Sequence, residues 1–301
     1  MTGADALGGD EYMRENMDYE IVTSGEPAYP ALLKEIKGYP KTLYYRGNFK
    51  LLGNRCVAVV GSRTSTMYGK ITAETIGARL SQRGVTVVSG MAIGIDSSAH
   101  RGALSRGGNT AAVLGCGIDR CYPPENDCLK RELEQKGLVL SEFPPGTAAE
   151  RYNFPQRNRI ISGLCRMTIV VQARNRSGAL ITAELAAEQG REVFAVPGNI
   201  DSQYNLGNNK LIKEGATPII SIDDVLESLG LRGADEGDAK EALSETEFQV
   251  YKLLKNNGEM SIDEVCCHLR KTPAYINPIL SVMEMKGFIF SAMGKIFLAN
   301  Q

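Results

Sequence analysis

The central part of the sequence alternates short, unbroken apolar runs with segments of helical periodicity. Six runs begin at residues 56, 85, 110, 138, 167 and 192: CVAVV, VTVVS, TAAVL, LVLS, MTIVV and EVFAV. Unbroken apolar runs are typical of strands covered on both faces, and such strands form mostly parallel sheets. The pattern predicts an α/β fold with a doubly wound, mostly parallel sheet. A helix predicted over about residues 68–83 is expected to bury Ile71, Thr75, Ala78 and Leu80.

Composition divides the chain into four parts. Residues 1–23 are acidic and poor in apolar side chains, which favours a flexible leader. Residues 24–230 hold the sheet pattern and form the predicted main domain. Residues 231–243 are polar and contain two glycines, which is typical of a linker. Residues 244–301 are predicted to form a second, smaller domain.

The second domain has the pattern of a winged helix-turn-helix. Ser244 with Glu247, and Ser261 with Glu264, are capping boxes that open two helices. A third helix is predicted over about residues 273–286, followed by two short strands about a glycine-containing turn. The segment carries six basic and six acidic side chains, so it has no net charge to attract DNA.

Glycine and serine cluster directly after the predicted strands. The turns are Gly61-Ser62-Arg63, Ser89-Gly90, Gly115-Cys116-Gly117, Ser177-Gly178 and Pro197-Gly198. Ligands of open α/β sheets bind outside the carboxyl ends of the strands, where glycine allows close approach and helix N-termini attract anions. Each turn alone is explained by ordinary turn geometry, but the set together with Arg63 favours a phosphate-binding rim.

The sequence lacks the motifs of two common nucleotide-binding sites. The first strand is followed by no second glycine until Gly69, and the second strand ends in Ser89 rather than in an acidic residue, so the dinucleotide pattern fails. The P-loop pattern is absent from the sequence as well. No cofactor is therefore predicted.

The stretch 151–176 is unusual because it holds six arginines and no lysine, aspartate or glutamate. The arginines are Arg151, Arg157, Arg159, Arg166, Arg174 and Arg176, with Tyr152 and Phe154 among them. Arginine forms bidentate contacts with phosphate, and aromatic rings stack on unpaired bases. A solvated basic helix face would explain the same composition, but the absence of acidic neighbours favours a polyanionic ligand.

Catalytic and metal-binding patterns are sparse. His100 is interpreted as a packing residue, and Asp96 and Asp119, which follow strands, as helix caps or turn-stabilising residues. Seven cysteines without a CxxC pair indicate reduced thiols rather than a metal site. The sequence has neither a signal peptide nor an apolar stretch long enough for a membrane span. We therefore expect a cytoplasmic, non-enzymatic protein without a bound metal.

Several strings, in order, resemble the DNA-processing protein A (DprA/Smf) family. They are VAVVGSRTSTMYG at 57–69, SGMAIGIDSSAHRGAL at 89–104, TAAVLGCGIDRCYPPEN at 110–126, SEFPPG at 141–146, FPQRNRIISGL at 154–164, SGALITAELAAEQGREVFAVPGN at 177–199 and NKLIKEGA at 209–216. The resemblance covers about residues 24–229 and the winged helix. The resemblance implies an extended Rossmann-like fold and a protein that forms a homodimer and binds single-stranded DNA. It also implies that the protein loads the RecA recombinase during natural transformation and does not catalyse a reaction.

The resemblance also implies a positively charged DNA pocket formed by the turn at 61–63 and the FPQRNR motif. Arg63 would contact a phosphate, Phe154 would stack a base, and Arg157 and Arg159 would complete the wall. The other residues placed in this pocket are Gly61, Ser62, Gly90, Arg151, Asn158, Ser177 and Gly178. Gln172 stands where many members have glutamate, so no role is assigned to it.

Two other functions compete with this prediction. One is a nucleotide or nucleoside-phosphate hydrolase on the Rossmann variant of the lysine-decarboxylase-like phosphoribohydrolases, although their PGG-x-GT loop is absent from the sequence. The other is a sequence-specific transcription regulator, although the third helix of the second domain has only Lys271 and Lys286 to contact a DNA groove.

Overall fold

Nine strands form one sheet in the first part of the chain. The structure, a computed structural model, describes residues 18–231, 243–286, 288–292 and 294–298. Within the first range the strands are β1 Glu20–Thr23, β2 Thr42–Gly47, β3 Cys56–Val60, β4 Thr86–Ser89, β5 Thr110–Val113, β6 Leu138–Ser141, β7 Met167–Val170, β8 Glu192–Ala195 and β9 Thr217–Pro218. The six predicted strands are confirmed as β3 to β8.

The strand order places a topological switch at β3. Across the sheet the order is β1-β2-β6-β5-β4-β3-β7-β8-β9. From β6 to β9 all neighbouring strands are parallel, while β2 pairs antiparallel with β6 and β1 pairs antiparallel with β2. The predicted mostly parallel, doubly wound α/β sheet is confirmed. In such a sheet the ligand crevice lies outside the carboxyl ends of the strands at the switch.

Eight helices are described in the same part of the chain. They are α1 Ala31–Lys34, α2 Met67–Gln82, α3 Ile95–Ser105, α4 Asp127–Lys136, α5 Asn153–Gly163, α6 Gly178–Glu188, α7 Leu206–Lys213 and α8 Ile222–Ser228, with short 3-10 helices at Phe49–Gly53 and Pro124–Asn126. In the ranges that the structure describes, every helix is too short or too polar to cross a membrane.

The sheet is covered on both faces. Along β6, Leu138 and Leu140 are buried in one core cluster together with Ile160 of α5. Val139, between them, is buried in a second cluster together with Leu133 of α4. Because side chains alternate along a strand, this division shows that helices pack on both sides of the sheet. Burial on both faces is the physical reason for the unbroken apolar runs.

The predicted inward face of α2 is partly wrong. Ile71 is 56% exposed, whereas Ile76 and Leu80 are buried. Close packing against α3 sets the rotation of the helix, because a Cβ at Gly77 would overlap the carbonyl oxygen of Ala99. Glycine at this position allows the two helix backbones to touch and turns Ile71 toward solvent.

The predicted leader is too long. Glu20–Thr23 form β1, which pairs along its whole length with β2, and the Tyr45 hydroxyl donates to the Glu20 carboxylate over 2.7 Å. Val22 is buried in the core. A four-residue edge strand needs few apolar side chains, so its composition does not distinguish it from a leader. The rest of the predicted leader, 1–17, and residues 232–242 of the predicted linker lie outside the described residues.

The second compact unit begins after Gly230. It contains α9 Glu245–Asn257, β10 Met260–Ser261, α10 Ile262–Leu269, α11 Pro273–Met285, β11 Ile289–Ala292 and β12 Lys295–Leu298, with the strands in the order β10-β12-β11. Both capping boxes form: Ser244 N–H donates to Glu247 over 2.6 Å, and Ser261 N–H donates to Glu264 over 2.7 Å. The predicted winged-helix fold is confirmed.

Candidate nucleic-acid interface

A cavity of about 330 Å³ opens outside the carboxyl end of β3, at the switch point of the sheet. Its walls come from the β3–α2 turn, the start of α3, the first half of α5 and the start of α6. Its volume is within the range of small-ligand pockets, about 300–1,000 Å³. Eight of the eleven predicted site residues line it: Gly61, Ser62, Arg63, Phe154, Arg157, Asn158, Ser177 and Gly178.

The β3–α2 turn holds Arg63 at this cavity. The Ser62 hydroxyl donates to the Thr64 carbonyl over 2.9 Å and accepts from Thr64 N–H over 3.2 Å. Glycine is required at position 61, because a Cβ there would overlap the side chain of Ile95 at the start of α3. Arg63 is exposed, and no carboxylate among the described residues pairs with it. The turn therefore presents an unpaired guanidinium to the cavity.

Phe154 stands beside Arg63 in the first turn of α5. The centroid of its half-buried ring lies 5.0 Å from the guanidinium carbon of Arg63. A Cβ at Gly115 would come within 2.9 Å of the ring, so glycine at the end of β5 makes room for it. A cation and an aromatic ring in this proximity match the two parts of a nucleotide, its phosphate and its base.

Arg157 lines the cavity, as the resemblance implies, and its guanidinium is engaged in hydrogen bonds within the protein. The side chain is only 4% exposed. Its guanidinium donates to the main-chain carbonyl of Gly90 over 2.7 Å and to that of Val113, and its Nε donates to Asn158 Oδ1 over 3.2 Å. Through these bonds Arg157 joins α5 to the ends of β4 and β5.

Asp96 is a buried carboxylate that also lines the cavity. It lies in the first turn of α3 and accepts a hydrogen bond from Ala92 N–H over 3.4 Å, in agreement with its interpretation as a turn-stabilising residue. Burial raises the pKa of Asp96, and the nearby Arg157 guanidinium opposes this rise. Burial likewise lowers the pKa of Arg157 to about 10, and Asp96 opposes that change. The two groups compensate each other at the base of the site.

Three predicted site residues lie outside the cavity lining, and two of them, Arg151 and Arg159, are arginines. Arg159 forms an ion pair with Glu142, so it does not complete the wall as the resemblance implies. Glu142 follows β6, outside the arginine-rich stretch, and reaches Arg159 only through folding. Arg151 is exposed in the turn before α5, and it has no carboxylate partner in the part of the chain that the structure describes.

Of the five turns predicted to form the phosphate-binding rim, only the turns at 61–63 and 177–178 line the cavity. Ser177 and Gly178 line the cavity at the start of α6, where the Ser177 hydroxyl accepts from Ala179 N–H over 3.3 Å. The N-terminus of α6 adds a positive potential there. The Pro197-Gly198 turn does not line the cavity. Its Gly198 N–H donates to Asn209 of α7 over 3.2 Å.

Gln172, which received no role from the sequence, supports the β3–α2 turn. Its buried side chain accepts from Thr66 N–H over 2.8 Å through Oε1 and donates to Asn205 Oδ1 over 3.2 Å through Nε2. Its carbonyl accepts from Ser62 N–H over 2.7 Å. These bonds anchor both sides of Arg63 to the end of β7. The only sequence signal was a polar residue directly after an apolar run.

A small niche of about 60 Å³ adjoins the cavity and shares Arg63, Phe154 and Arg157 with it. Gly90, the remaining predicted site residue, lines this niche. Tyr122, which the sequence analysis did not single out, lines it too, and its ring centroid lies 5.3 Å from that of Phe154. The sequence places Tyr122 in the loop after β5, at the same edge of the sheet.

His100 lies in the core rather than in the site. It is fully buried, and its Nδ1 is 2.7 Å from the hydroxyl of Thr110. Burial lowers the pKa of His100 to about 3, so the ring is neutral near pH 7. These contacts agree with its interpretation as a packing residue.

An open, mostly parallel sheet with an antiparallel extension, and an arginine- and phenylalanine-lined cavity at its switch point, define a Rossmann-like protein with a crevice suited to anionic ligands. The sequence model described as DNA recombination-mediator protein A matches residues 20–230, and the chain belongs to this family. The family indicated by the sequence motifs is thereby confirmed.

Solved structures and curated relatives agree with this assignment. DNA processing protein A from Streptococcus pneumoniae superimposes with a TM-score of 0.68 at 42% identity, over 73% of this chain and 78% of that chain. DNA processing protein A from Helicobacter pylori, whose structure was described for its single-stranded DNA binding mode, superimposes with a TM-score of 0.65 at 30% identity. The superposition covers 72% of this chain and 98% of that chain. A putative DNA processing protein from Mycobacterium tuberculosis is 39% identical over 256 residues, 82% of this chain but 66% of that relative.

Proposed function

We propose that this protein is a non-enzymatic recombination mediator that binds single-stranded DNA, protects incoming strands and loads the RecA recombinase during natural transformation. It works in the cytoplasm as a homodimer. Family membership and the single-stranded DNA binding of the Helicobacter pylori relative support the proposal. The observation that carries it is the position of the Arg63 guanidinium at the switch-point cavity, 5.0 Å from the centroid of the Phe154 ring. This guanidinium is exposed and has no carboxylate partner among the residues that the structure describes.

The proposed site binds one nucleotide through two kinds of contact. The phosphate is bound by the Arg63 guanidinium and attracted by the N-terminus of α6. The base stacks against Phe154. Neither contact distinguishes one base edge from another, so binding is independent of sequence.

The same site disfavours a duplex. Stacking on Phe154 requires a base that is unpaired and unstacked from its neighbours, as in single strands. A duplex offers its phosphates but not its base faces. The affinity for duplex therefore rests on charge alone and is expected to be lower and more sensitive to salt.

Fluorescence anisotropy with labelled oligo-dT, and with duplex of the same length, tests this proposal across a series of salt concentrations. We expect tighter binding to oligo-dT, little dependence on base sequence, and no nucleotide turnover in parallel assays. Equal affinity for duplex, or a strong consensus sequence, would contradict the mediator function and support a regulator. Turnover of a nucleotide or nucleoside phosphate would support a hydrolase.

The loading step has a separate test. RecA filament assembly on long single strands is followed with and without this protein, at protein concentrations that half-saturate the strand. We expect faster nucleation in its presence, and an Arg63→Ala variant should lose the effect because it no longer engages the strand. Unchanged or slower nucleation with the unmodified protein would limit the function to strand binding and protection.

A further inference from the structure

We propose that Tyr122 is a second base-stacking platform, so that the strand bound at the Arg63 cavity continues across the niche onto this ring. Its ligand is an unpaired nucleobase next to the one that stacks on Phe154. The inference rests on the proposed function, because it extends the path of the same strand. Tyr122 does not line the cavity that contains Arg63, and the sequence motifs gave it no role.

The two rings form one aromatic surface. Their centroids are 5.3 Å apart and their planes are inclined by 43°. Phe154 is half-buried, with the Arg63 guanidinium 5.0 Å from its centroid. Tyr122, in contrast, is 40% exposed. Of the two rings, Tyr122 therefore has the larger exposed fraction to offer a base.

The niche connects this surface to the cavity. Arg63 and Phe154 line both spaces, so a strand that leaves the cavity past these residues meets Tyr122 next. The niche is small, about 60 Å³ against about 330 Å³ for the cavity. Ile93, which is 44% exposed, adds apolar surface beside it. The proposal places the base over the niche, against the rings.

The loop around Tyr122 is held in place before any ligand binds. The Asn126 side chain donates to the Met91 carbonyl over 2.8 Å, and Asn126 N–H donates to the Pro123 carbonyl over 3.1 Å. The Tyr122 hydroxyl, by contrast, makes no hydrogen bond to a residue in the described ranges. An exposed ring on an ordered loop loses little conformational freedom on binding, which favours its use as a contact surface.

The loop that carries Tyr122 adds no positive charge beyond the arginines already at the niche. Arg63 and Arg157 line the niche. In residues 119–125 the charged side chains are Asp119, Arg120 and Glu125, which are exposed and sum to a charge of negative one. Tyr122 itself offers no cation to a phosphate, whereas its ring can stack on a base. Tyr122 should therefore add affinity without adding to the salt dependence, which arises from phosphate contacts.

The sequence contains no tryptophan, so Tyr122→Trp introduces a single tryptophan, which can be excited selectively at wavelengths where the tyrosines do not absorb. Titration with unlabelled oligo-dT should quench its emission along the same curve as the anisotropy of labelled oligo-dT. Tyr68→Trp is the matched control, because Tyr68 is 60% exposed on α2 and lines neither the cavity nor the niche. Its emission should not change on titration.

Affinity measurements on two further variants complete the test. Tyr122→Ala should weaken oligo-dT binding roughly five- to 150-fold, the range expected for loss of one stacked base, with an unchanged slope of log affinity against log salt. Tyr122→Phe keeps the ring and should restore most of the affinity that Tyr122→Ala loses. Melting temperatures identify any variant that fails to fold, and for such a variant the tryptophan titration decides.

Failure of this inference is distinguishable from failure of the proposed function. If the unmodified protein binds oligo-dT, but the tryptophan at position 122 is not quenched and Tyr122→Ala binds normally, Tyr122 is not a platform and the Arg63 site stands. A flattened salt slope in Tyr122→Ala would also overturn the inference, because it would indicate a phosphate contact. If the unmodified protein does not bind oligo-dT, the proposed function itself is wrong.

Discussion

The guanidinium of Arg157 donates to the main-chain carbonyl of Gly90 over 2.7 Å, and also to that of Val113. Gly90 follows β4 and Val113 ends β5, so one side chain from α5 satisfies acceptors at two neighbouring strand ends. This buried cation compensates Asp96 at the base of the cavity, while Arg63 remains exposed beside it. One arginine thus maintains the site and another is available to the ligand.

Arg157→Ala should destabilise the protein by about 2–6 kcal/mol, because two buried carbonyls lose their donor at about 1–3 kcal/mol each. Urea unfolding of the unit that contains residues 18–230 measures this change. Arg101→Ala, an exposed arginine on α3, is the control and should shift stability little. A fully stable Arg157→Ala protein that has lost DNA affinity would show that Arg157 is a phosphate contact after all.

Arg63→Ala should weaken oligo-dT binding and reduce the slope of log affinity against log salt by about 0.7, the value for one phosphate contact on a single strand. Its melting temperature should not change, because Arg63 is exposed and pairs with no described carboxylate. Arg101→Ala again serves as the control for loss of one positive charge. Unchanged affinity and slope in Arg63→Ala would show that DNA does not lie at this cavity.

Phe154→Ala should weaken oligo-dT binding by about 1–3 kcal/mol and leave the salt slope nearly unchanged, because a stacked ring releases no counterion. The ring is half-buried, so its removal should lower stability by less than the 3–5 kcal/mol typical of a core phenylalanine. Thermal unfolding beside the salt titration separates these effects. A strong fall in melting temperature with normal DNA binding would assign Phe154 to the core.

Removal of residues 231–301 should leave the affinity for oligo-dT within about tenfold of the full chain, or about 1.4 kcal/mol. The winged-helix unit has its own hydrophobic core, and it carries equal numbers of basic and acidic side chains outside the linker. Anisotropy with the truncated and full-length proteins at one salt concentration makes the comparison. A larger loss would identify the winged helix as a principal DNA contact.

The stability of the protein should depend on His100 at acidic pH. The pKa of His100 is about 3 in the folded protein against 6.5 for an unperturbed histidine, so between these values the unfolded chain binds a proton that the folded chain does not. Stability therefore falls as pH decreases from about 6.5 toward 3, with a limiting slope of about 1.4 kcal/mol per pH unit.

His100→Asn removes this titration, and the difference between the two proteins isolates it. Asp96 acts in the opposite direction, since its raised pKa favours the folded state as pH decreases, but it is present in both proteins. We expect the stability of the unmodified protein to fall more steeply with decreasing pH than that of His100→Asn. Parallel pH profiles would show that His100 is not protonated differently in the folded and unfolded states.

Local sequence patterns predicted the elements and the edge of the sheet at which the cavity lies. Unbroken apolar runs predicted β3 to β8, because burial on both faces removes polar alternation from a strand. The turns Gly61-Ser62-Arg63 and Ser177-Gly178 were expected to meet, because the carboxyl ends of parallel strands share one edge of the sheet, and they line one cavity. The rotation of α2, by contrast, depended on contact between Gly77 and Ala99 of another helix.

Only the tertiary structure decided which arginine is available to a ligand. Arg63, Arg157 and Arg159 are chemically identical, and the family resemblance implied that all three belong to the pocket. Folding pairs Arg159 with Glu142, 17 residues away, and Arg157 with the carbonyl of Gly90, 67 residues away, but leaves Arg63 exposed. The charge that a side chain can offer depends on its burial and on its partners, and both are set by residues distant along the chain.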